Sequence, residues 1–506
     1  MKKILAVALS LLMILIAAAG CAPTTPAPAP ASSEAVSSAP VAETAKTPKY
    51  VFLFIGDGMS YVQVNAAQVL NGNNTSGEVA TKSLNFTQFP VAGVATTYDS
   101  TSFCPDSAST ATAISCGVKT HSGVLGLEVD KTTKPESITE MLKKAGKKIG
   151  IVSSVTINHA TPAAFYAHIA SREEYYDIAK QLADSGFDYF GGGTVNKPTG
   201  ANKDQPDVME YIAGKGYKIA KTKEEIEALN ASSGKVYAVT PVTEDSGSLP
   251  YTMDVKDGEL VLADYVRKGI DVLDNDNGFF MMCESGKIDW AGHANDAMST
   301  ITDVVGLENA IQVAVDFANQ HPDETLILVT GDHETGGMTI GYAATGYNTA
   351  FDILSKQKIS YVAFDSLIGK MKEENPKLTL EEVLPVIKEN FGLLAPTDPD
   401  AQVEANKPFV MDEYEFTKLQ GGFAESMKPA EERTKSAEAN VLYGTYDPLS
   451  VTLTHIINNK AGIGWTSYAH TGVPVPVYAT GASAETFAGS YDNTDIFKKL
   501  VEVCGL

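Results

Sequence analysis

A chain of 506 residues with 44% hydrophobic composition holds enough apolar mass for a large core and cannot be a disordered or collagen-like polymer. Its 62 acidic residues against 39 basic ones give a formal charge of −23, a field that repels nucleic acid and anionic membrane surfaces. The same field repels phosphorylated small molecules, so chemistry on phosphate requires concentrated local positive charge.

The N-terminus, Met1-Lys2-Lys3 followed by an apolar run from Ile4 to Ala19, has the layout of a secretory signal over residues 1–20. The run is too short for a membrane-spanning helix. Ala18, Ala19 and Gly20 directly before Cys21 resemble a bacterial lipobox, which implies cleavage there, diacylglyceryl attachment to Cys21 and residence in the cell envelope, on a periplasmic or extracellular face. Residues 21–48 are rich in Pro, Ala, Ser and Thr and read as an unfolded tether. Folded character begins at residue 49 and continues to 506.

Tyr50–Ile55 is an unbroken β-forming apolar run that ends in Gly56-Asp57-Gly58. Runs without alternation fit strands covered on both faces. Comparable runs recur at Ile149–Val155, Phe279–Cys283, Thr325–Thr330 and Val475–Thr480. Between them lie helical stretches such as Ser137–Lys144, where Ser137 and Glu140 have capping-box spacing and Gly146 marks a stop. Strands alternating with helices predict an α/β fold: one large domain around a central, mostly parallel sheet flanked by helices. Residues 185–251 and 341–443 are richer in charge and turn formers and read as two insertions. Cys104, Cys116, Cys283 and Cys504 admit three disulfide pairings, and no spacing selects among them.

Three of the apolar runs are followed by acids: Asp57, Glu284 and Asp332-His333. The carboxyl edge of a parallel sheet is where ligands bind, so these side chains can converge. Asp289 and His293 lie four apart and share a face if helical. His470 precedes the last apolar run, and the chain holds only eight histidines. Mixed imidazole and carboxylate donors suit zinc, and all-oxygen sets suit magnesium. Ser107, in Pro105-Asp106-Ser107-Ala108, precedes a run of small residues that predicts a helix, whose N-terminus favours an alkoxide and bound phosphate.

Asp57 in Gly-Asp-Gly-Met, Pro-Asp-Ser-Ala around Ser107, Ala-Thr-Pro-Ala around Thr161, Ser171-Arg172, Glu284-Ser-Gly, Gly331-Asp-His-Glu-Thr-Gly-Gly and His470-Thr-Gly together resemble the alkaline phosphatase family, in family order from Tyr50 to the C-terminus. The resemblance implies a phosphomonoesterase with two zinc ions and one magnesium. Asp289, His293 and His470 would hold one zinc, and Asp57, Asp332 and His333 the other. Asp57, Thr161 and Glu284 would hold magnesium. Ser107 would attack phosphorus and become phosphorylated, and Arg172 would clamp the phosphate. The divalent ions and Arg172 would outweigh the carboxylates of Asp57, Glu284, Asp289 and Asp332, making the pocket positive within a negative protein. The resemblance also implies a homodimer.

In the best-known bacterial members an aspartate and a lysine stand at the positions of His159 and Trp290, so this chain is similar instead to animal and some marine or thermophilic members. His159 and Trp290 are expected at the substrate, and His159 leaves the third metal open to zinc or cobalt. The sulfatases of the same superfamily carry a Cys/Ser-x-Pro-x-Arg signature, whereas Ala-Ser-Thr-Ala follows Ser107. A binding protein that had lost catalysis is expected to lack a ligand or the nucleophile, and all of these residues are present.

Overall fold

The central strand β1 (Tyr50–Gly56) is buried along its whole length, and its side chains alternate between two separate cores. Tyr50, Phe52 and Phe54 enter one, and Val51, Leu53 and Ile55 enter the other. This explains why the run shows no polar alternation: both faces are covered, and each buried Val, Leu, Ile or Phe contributes about 1.5–3 kcal/mol. The structure, a computed structural model, describes residues 46–72 and 78–506. The signal peptide, Cys21 and nearly all of the tether lie outside the described residues.

The other strands follow in chain order: β2 (Val91–Thr96), β3 (Lys148–Ser153), β4 (Tyr189–Gly192), β5 (Lys218–Ala220), β6 (Val236–Val239), β7 (Phe279–Ser285), β8 (Thr325–Gly331), β9 (Glu334–Thr335), β10 (Thr339–Ile340), β11 (Ile463–Gly464), β12 (His470–Thr471), β13 (Val475–Gly481) and β14 (Gly489–Asp492). Ten of them form one sheet, in the order β14-β2-β13-β8-β1-β7-β3-β4-β6-β5. β1 pairs in parallel with β7 and β8, setting Gly56 beside Ser285 and Gly331. β13 runs antiparallel to both of its neighbours. The sheet is therefore mostly parallel, as the apolar runs predicted.

Helices Tyr61–Leu70, Leu262–Leu273 and Ala297–Gln320 cover one face. Ser107–Cys116, Ile138–Lys144, Tyr175–Ser185 and Thr494–Cys504 cover the other. The capping box read at Ser137 is formed: Ser137 N–H donates to Glu140 Oε2 at 2.8 Å, and Glu140 N–H donates to Ser137 Oγ at 3.3 Å. Residues 185–251, expected as an insertion, supply β4, β5 and β6 and so extend the sheet itself. Residues 341–443 hold four α-helices, Tyr361–Glu374, Leu380–Phe391, Glu413–Ser426 and Ala437–Tyr443, with short 3-10 turns between them and no strand. Cys104, Cys116, Cys283 and Cys504 are free thiols, with Cys104 exposed and the other three buried. Among the described residues no helix is long and apolar enough to cross a membrane.

Candidate active site

Because β8, β1 and β7 are adjacent and parallel, their carboxyl ends deliver Asp332, Asp57 and Glu284 to one point of the sheet edge. Glu284 lies within β7, at its end, rather than in the loop after it. All three carboxylates are fully buried. Gly58 has φ +72°, and a Cβ there would come within 2.8 Å of Asp289 Cα. Only glycine lets the chain turn this tightly against that residue. Its N–H donates to Asp332 Oδ1 at 3.1 Å.

Asp289 and His293 lie on the helix Lys287–His293, and the antiparallel course of β13 returns His470 to the same edge. His293 Nδ1 lies 2.6 Å from the carbonyl of Tyr468, and His470 Nδ1 lies 2.5 Å from that of Pro105. A nitrogen facing a carbonyl must carry a proton, which in the neutral rings leaves both Nε2 atoms bare. Those atoms stand 3.0 Å apart, with Asp289 Oδ1 at 3.4 and 3.5 Å. Two lone pairs aimed at each other beside a carboxylate repel unless a cation lies among them. The donor set therefore fits a metal of zinc type.

His333 repeats the arrangement. Its Nδ1 meets Thr335 Oγ1 at 3.3 Å, while Thr335 donates its own proton to Asp289 Oδ1 at 2.5 Å. His333 Nε2 is then free to face Asp57 Oδ1 at 3.3 Å and Asp332 Oδ2 at 3.4 Å. A third group joins Asp57, Glu284 and His159, and each of the three groups has donor atoms within 4.8 Å of one another. Glu284 Oε1 is buried with no hydrogen-bond partner, although its Oε2 accepts from Ser153. An orphaned carboxylate oxygen in the interior is costly unless a cation or a proton meets it. Thr161 Oγ1 donates to Asp57 Oδ2 at 3.2 Å, and Thr110 Oγ1 donates to Asp332 Oδ2 at 3.2 Å.

Without cations the electrostatics of this edge are unfavourable. Burial, then the charges of Asp332, Asp289 and Glu284, push the Asp57 carboxyl well above its usual range. Burial raises Glu284 and Asp332 each to about 7 and depresses His159 to about 3. Asp289 goes the other way: burial acts to raise it, but His293 and His470 hold it well below the usual carboxylate range.

Ser107 is the first residue of the helix Ser107–Cys116. That helix is buried on every side because its residues are nearly all small. Ser107 Oγ stands 3.1 Å from His333 Nε2 and 3.4 Å from Asp57 Oδ1. Asp106 caps the helix by accepting from Ser109 N–H at 3.0 Å, and its other oxygen anchors Arg172 Nη1 at 2.9 Å. Arg172 Nη2 stands 3.3 Å from His159 Nε2. Burial opposes the Asp106 charge, but Arg172 holds its carboxyl below the usual value. Ser107, Arg172, His159, Asp289, Trp290, His293 and His470 line one open cleft of about 470 Å3. His159 and Trp290 meet edge to face, with centroids 5.7 Å apart.

The structure thus brings the predicted residues Asp57, Ser107, His159, Thr161, Arg172, Glu284, Asp289, Trp290, His293, Asp332, His333 and His470 to one edge, while Cys21 lies outside the described residues. Sequence reading missed Asp106 as the anchor of Arg172, Thr335 as the link between two histidine groups, and Ser153 and Thr110 as carboxylate partners. Thr335 and Asp106 sit inside motifs already singled out, and that adjacency was the available signal.

Comparison with known proteins gives a consistent picture. The family model described as alkaline phosphatase matches residues 48–506. The chain is 30% identical over 486 residues to alkaline phosphatase 3 of Bacillus subtilis, covering 93% of each. Among solved structures it is similar to a cold-active alkaline phosphatase of a psychrophilic Shewanella, with a TM-score of 0.73, 26% identity, and coverage of 90% of this chain and 99% of that one. It is also similar to a histidine-to-aspartate variant of the TAB5 alkaline phosphatase with Mg bound in its M3 site, with a TM-score of 0.61, 26% identity, and coverage of 91% and 99%.

Proposed function

The chain belongs to the alkaline phosphatase family and is a phosphomonoester hydrolase, and from that membership we propose that it works through a phosphorylated Ser107 beside two zinc ions and one magnesium. The observation that carries this reading is the seat of Ser107 Oγ, at a helix N-terminus and 3.1 Å from His333 Nε2, in the same cleft as Arg172.

Asp289, His293 and His470 would hold one zinc, Asp57, Asp332 and His333 the other, and Asp57, Thr161 and Glu284 the magnesium. When bound, the cations supply Lewis-acid stabilisation of the phosphoryl and leaving oxygens and a lowered pKa for Ser107. The remaining work falls to the chain. Free N–H groups at the start of the Ser107 helix and the positive end of its dipole favour an anion at Oγ. Asp106 fixes the guanidinium of Arg172, so its remaining donors meet two phosphate oxygens without further ordering. Ser107 Oγ gives up its proton to solvent water and bonds to phosphorus as the bond from phosphorus to the alcohol oxygen breaks, and the departing alkoxide takes a proton from solvent water in turn. In the second half a water oxygen bonds to phosphorus, Ser107 Oγ is released and regains a proton, and orthophosphate leaves.

Release of orthophosphate from a chromogenic monoester by metal-loaded protein tests this reading, and no turnover from well-folded, remetallated protein overturns it. Arg172→Ala is expected to raise KM about tenfold to a hundredfold with a smaller loss in kcat, and Arg172→Lys to recover little, because a point charge lacks the fork. An unchanged KM would remove Arg172 from substrate binding. Magnesium at the third position is supported by the oxygen donors of Asp57, Thr161 and Glu284, while the imidazole of His159 beside Asp57 and Glu284 makes zinc the competing occupant. Metal analysis finding three zinc ions per chain would refute it.

Export and a diacylglyceryl anchor at Cys21 complete the reading, together with a homodimer. Cys21→Ser is expected to move the protein from the membrane fraction to the soluble one, and the released form to scatter light with twice the mass of the chain. Retention in the membrane, or the mass of a single chain, would overturn the respective assignment.

A further inference from the structure

Besides Ser107, Arg172 and the histidines, the same cleft is lined by Asp245, Ser246, Trp290, Tyr361 and Tyr446. Trp290 and Tyr446 pack against an apolar cluster formed by Tyr251, Ala291, Ala294 and Tyr361. The rings of Tyr361 and Tyr446 meet edge to face with centroids 5.8 Å apart, as do those of Tyr251 and Tyr361. The hydroxyls of Tyr251 and Tyr361 are 3.2 Å apart. The wall is therefore preassembled rather than a set of loose surface rings.

Asp245 reaches the cleft from an unusual turn. Asp245, Ser246 and Gly247 are consecutive left-handed residues, with φ of 42°, 58° and 89°. Two non-glycine residues in that region are strained and persist only where their surroundings hold them. Here Ser248 Oγ donates to the carbonyls of Glu244 and Asp245, at 2.6 and 2.8 Å, and lies 3.1 Å from Nζ of the buried Lys287. Thr194 donates to the carbonyl of Gly247 through both N–H and Oγ1, at 2.9 and 3.0 Å. The Asp245 carboxylate, by contrast, accepts only the Ser246 hydroxyl, at 3.1 Å, among the described residues. Burial raises the Tyr446 phenol, and the charges of Asp289 and Asp245 raise it further.

An aromatic wall alone would accept any flat or apolar alcohol, but this one faces a carboxylate with no cationic partner in contact among the described residues: the buried Lys287 ammonium, 3.6 Å from the Tyr251 ring centroid and 5.2 Å from that of Trp290, feels Asp245 together with Glu244, Asp303 and Asp254, so one cation is shared among four acids. We propose that this end of the cleft is a leaving-group subsite for cationic alcohols, in which Asp245 and the aromatic faces of Trp290 and Tyr446 favour phosphate monoesters carrying an ammonium group a few bonds from the ester oxygen. The proposal rests on the phosphatase reading and names its substrate class. Aromatic rings attract an ammonium group through their negative faces while tolerating its methyl or methylene groups, and Asp245 supplies the countercharge that the metal-rich phosphate end does not.

The test compares choline phosphate with its neutral carbon isostere, 3,3-dimethylbutyl phosphate, on the metal-loaded enzyme. The wild type is expected to prefer choline phosphate about tenfold in kcat/KM. Asp245→Asn, which keeps a residue tolerant of left-handed backbone, is expected to bring the ratio close to one while leaving 3,3-dimethylbutyl phosphate turnover within about twofold. Tyr446→Leu is expected to lower the ratio as well. Equal kcat/KM for the two esters in the wild type, or a preference that survives Asp245→Asn, overturns the proposal. Turnover of neither ester nor of phenyl phosphate would sink the phosphatase reading itself, and this proposal with it.

Discussion

Ser107→Ala lowers kcat for a phosphate monoester by about ten-thousandfold, equivalent to about 5 kcal/mol of barrier. The size follows from what the substitution removes. The two-step route depends on an oxygen held at a helix N-terminus, and alanine leaves only direct attack by water, which the cleft does not orient. Ser107 is 2% exposed and its neighbours are small, so loss of one oxygen leaves the helix intact and the melting temperature within a few degrees. Mass analysis of rapidly quenched turnover is expected to find one phosphoryl group on the peptide containing Ser107 in the wild type and none in the variant. A variant that keeps a tenth of the activity, or a quenched enzyme phosphorylated elsewhere, would sink the phosphoserine route.

Chelation is expected to abolish turnover and to lower the melting temperature by an amount that grows as pH rises. In the cation-free protein Glu284 and Asp332 are each raised by burial to about 7, and Asp57 is raised further in the same direction. A carboxyl whose folded pKa exceeds its unfolded one holds more protons when folded, so stability falls as pH rises between the two values. For Glu284 and Asp332 that window runs from about pH 4 to about pH 7; Asp57 extends it. His470, which Asp289 holds above its usual value against burial, adds in the same sense, since the stability it confers at low pH is lost as pH rises through its folded pKa. Asp289, depressed by its histidine neighbours, opposes this only at acid pH, and His159 and His333, depressed by burial, oppose it up to about pH 6.5, so the fall is steepest above that point. Bound cations cancel the repulsion, so the gap between loaded and chelated melting temperatures widens from about pH 5 to about pH 9. A gap that stays constant across that range would contradict this account.

The same reasoning singles out Asp57, which belongs to two of the three groups able to hold a metal. Asp57→Asn is expected to lose the cations of both, while Asp289, His293 and His470 keep theirs. Metal analysis giving the full complement, or none at all, would contradict the shared role.

Much of this site was legible because its residues are marked locally. Asp57, Glu284 and Asp332 stand at the ends of unbroken apolar runs, and such runs report burial on both faces of a parallel sheet. Asp289 and His293 are four apart, which on a helix is one face. The segment 185–251 was less legible because β4, β5 and β6 are three or four residues each, too short for a periodic pattern to rise above the surrounding turns. Arg172 was legible from its motif, but its anchor was not, since Asp106 lies 66 residues away and serves equally well as a helix cap.

By itself the sequence determined the α/β class, the central strands, the helix that carries Ser107 and the identity of the chemical groups, because these depend on side-chain type and on spacings of a few residues. The tertiary structure alone decided the reversed direction of β13 that returns His470 to the edge holding Asp289, the Thr335 link between two histidine groups, and the gathering of Asp245, Tyr361 and Tyr446 around one cleft. These depend on strand pairing and packing between residues far apart in the chain, where neither propensity nor periodicity carries information, and where burial and hydrogen bonding among distant partners select one arrangement.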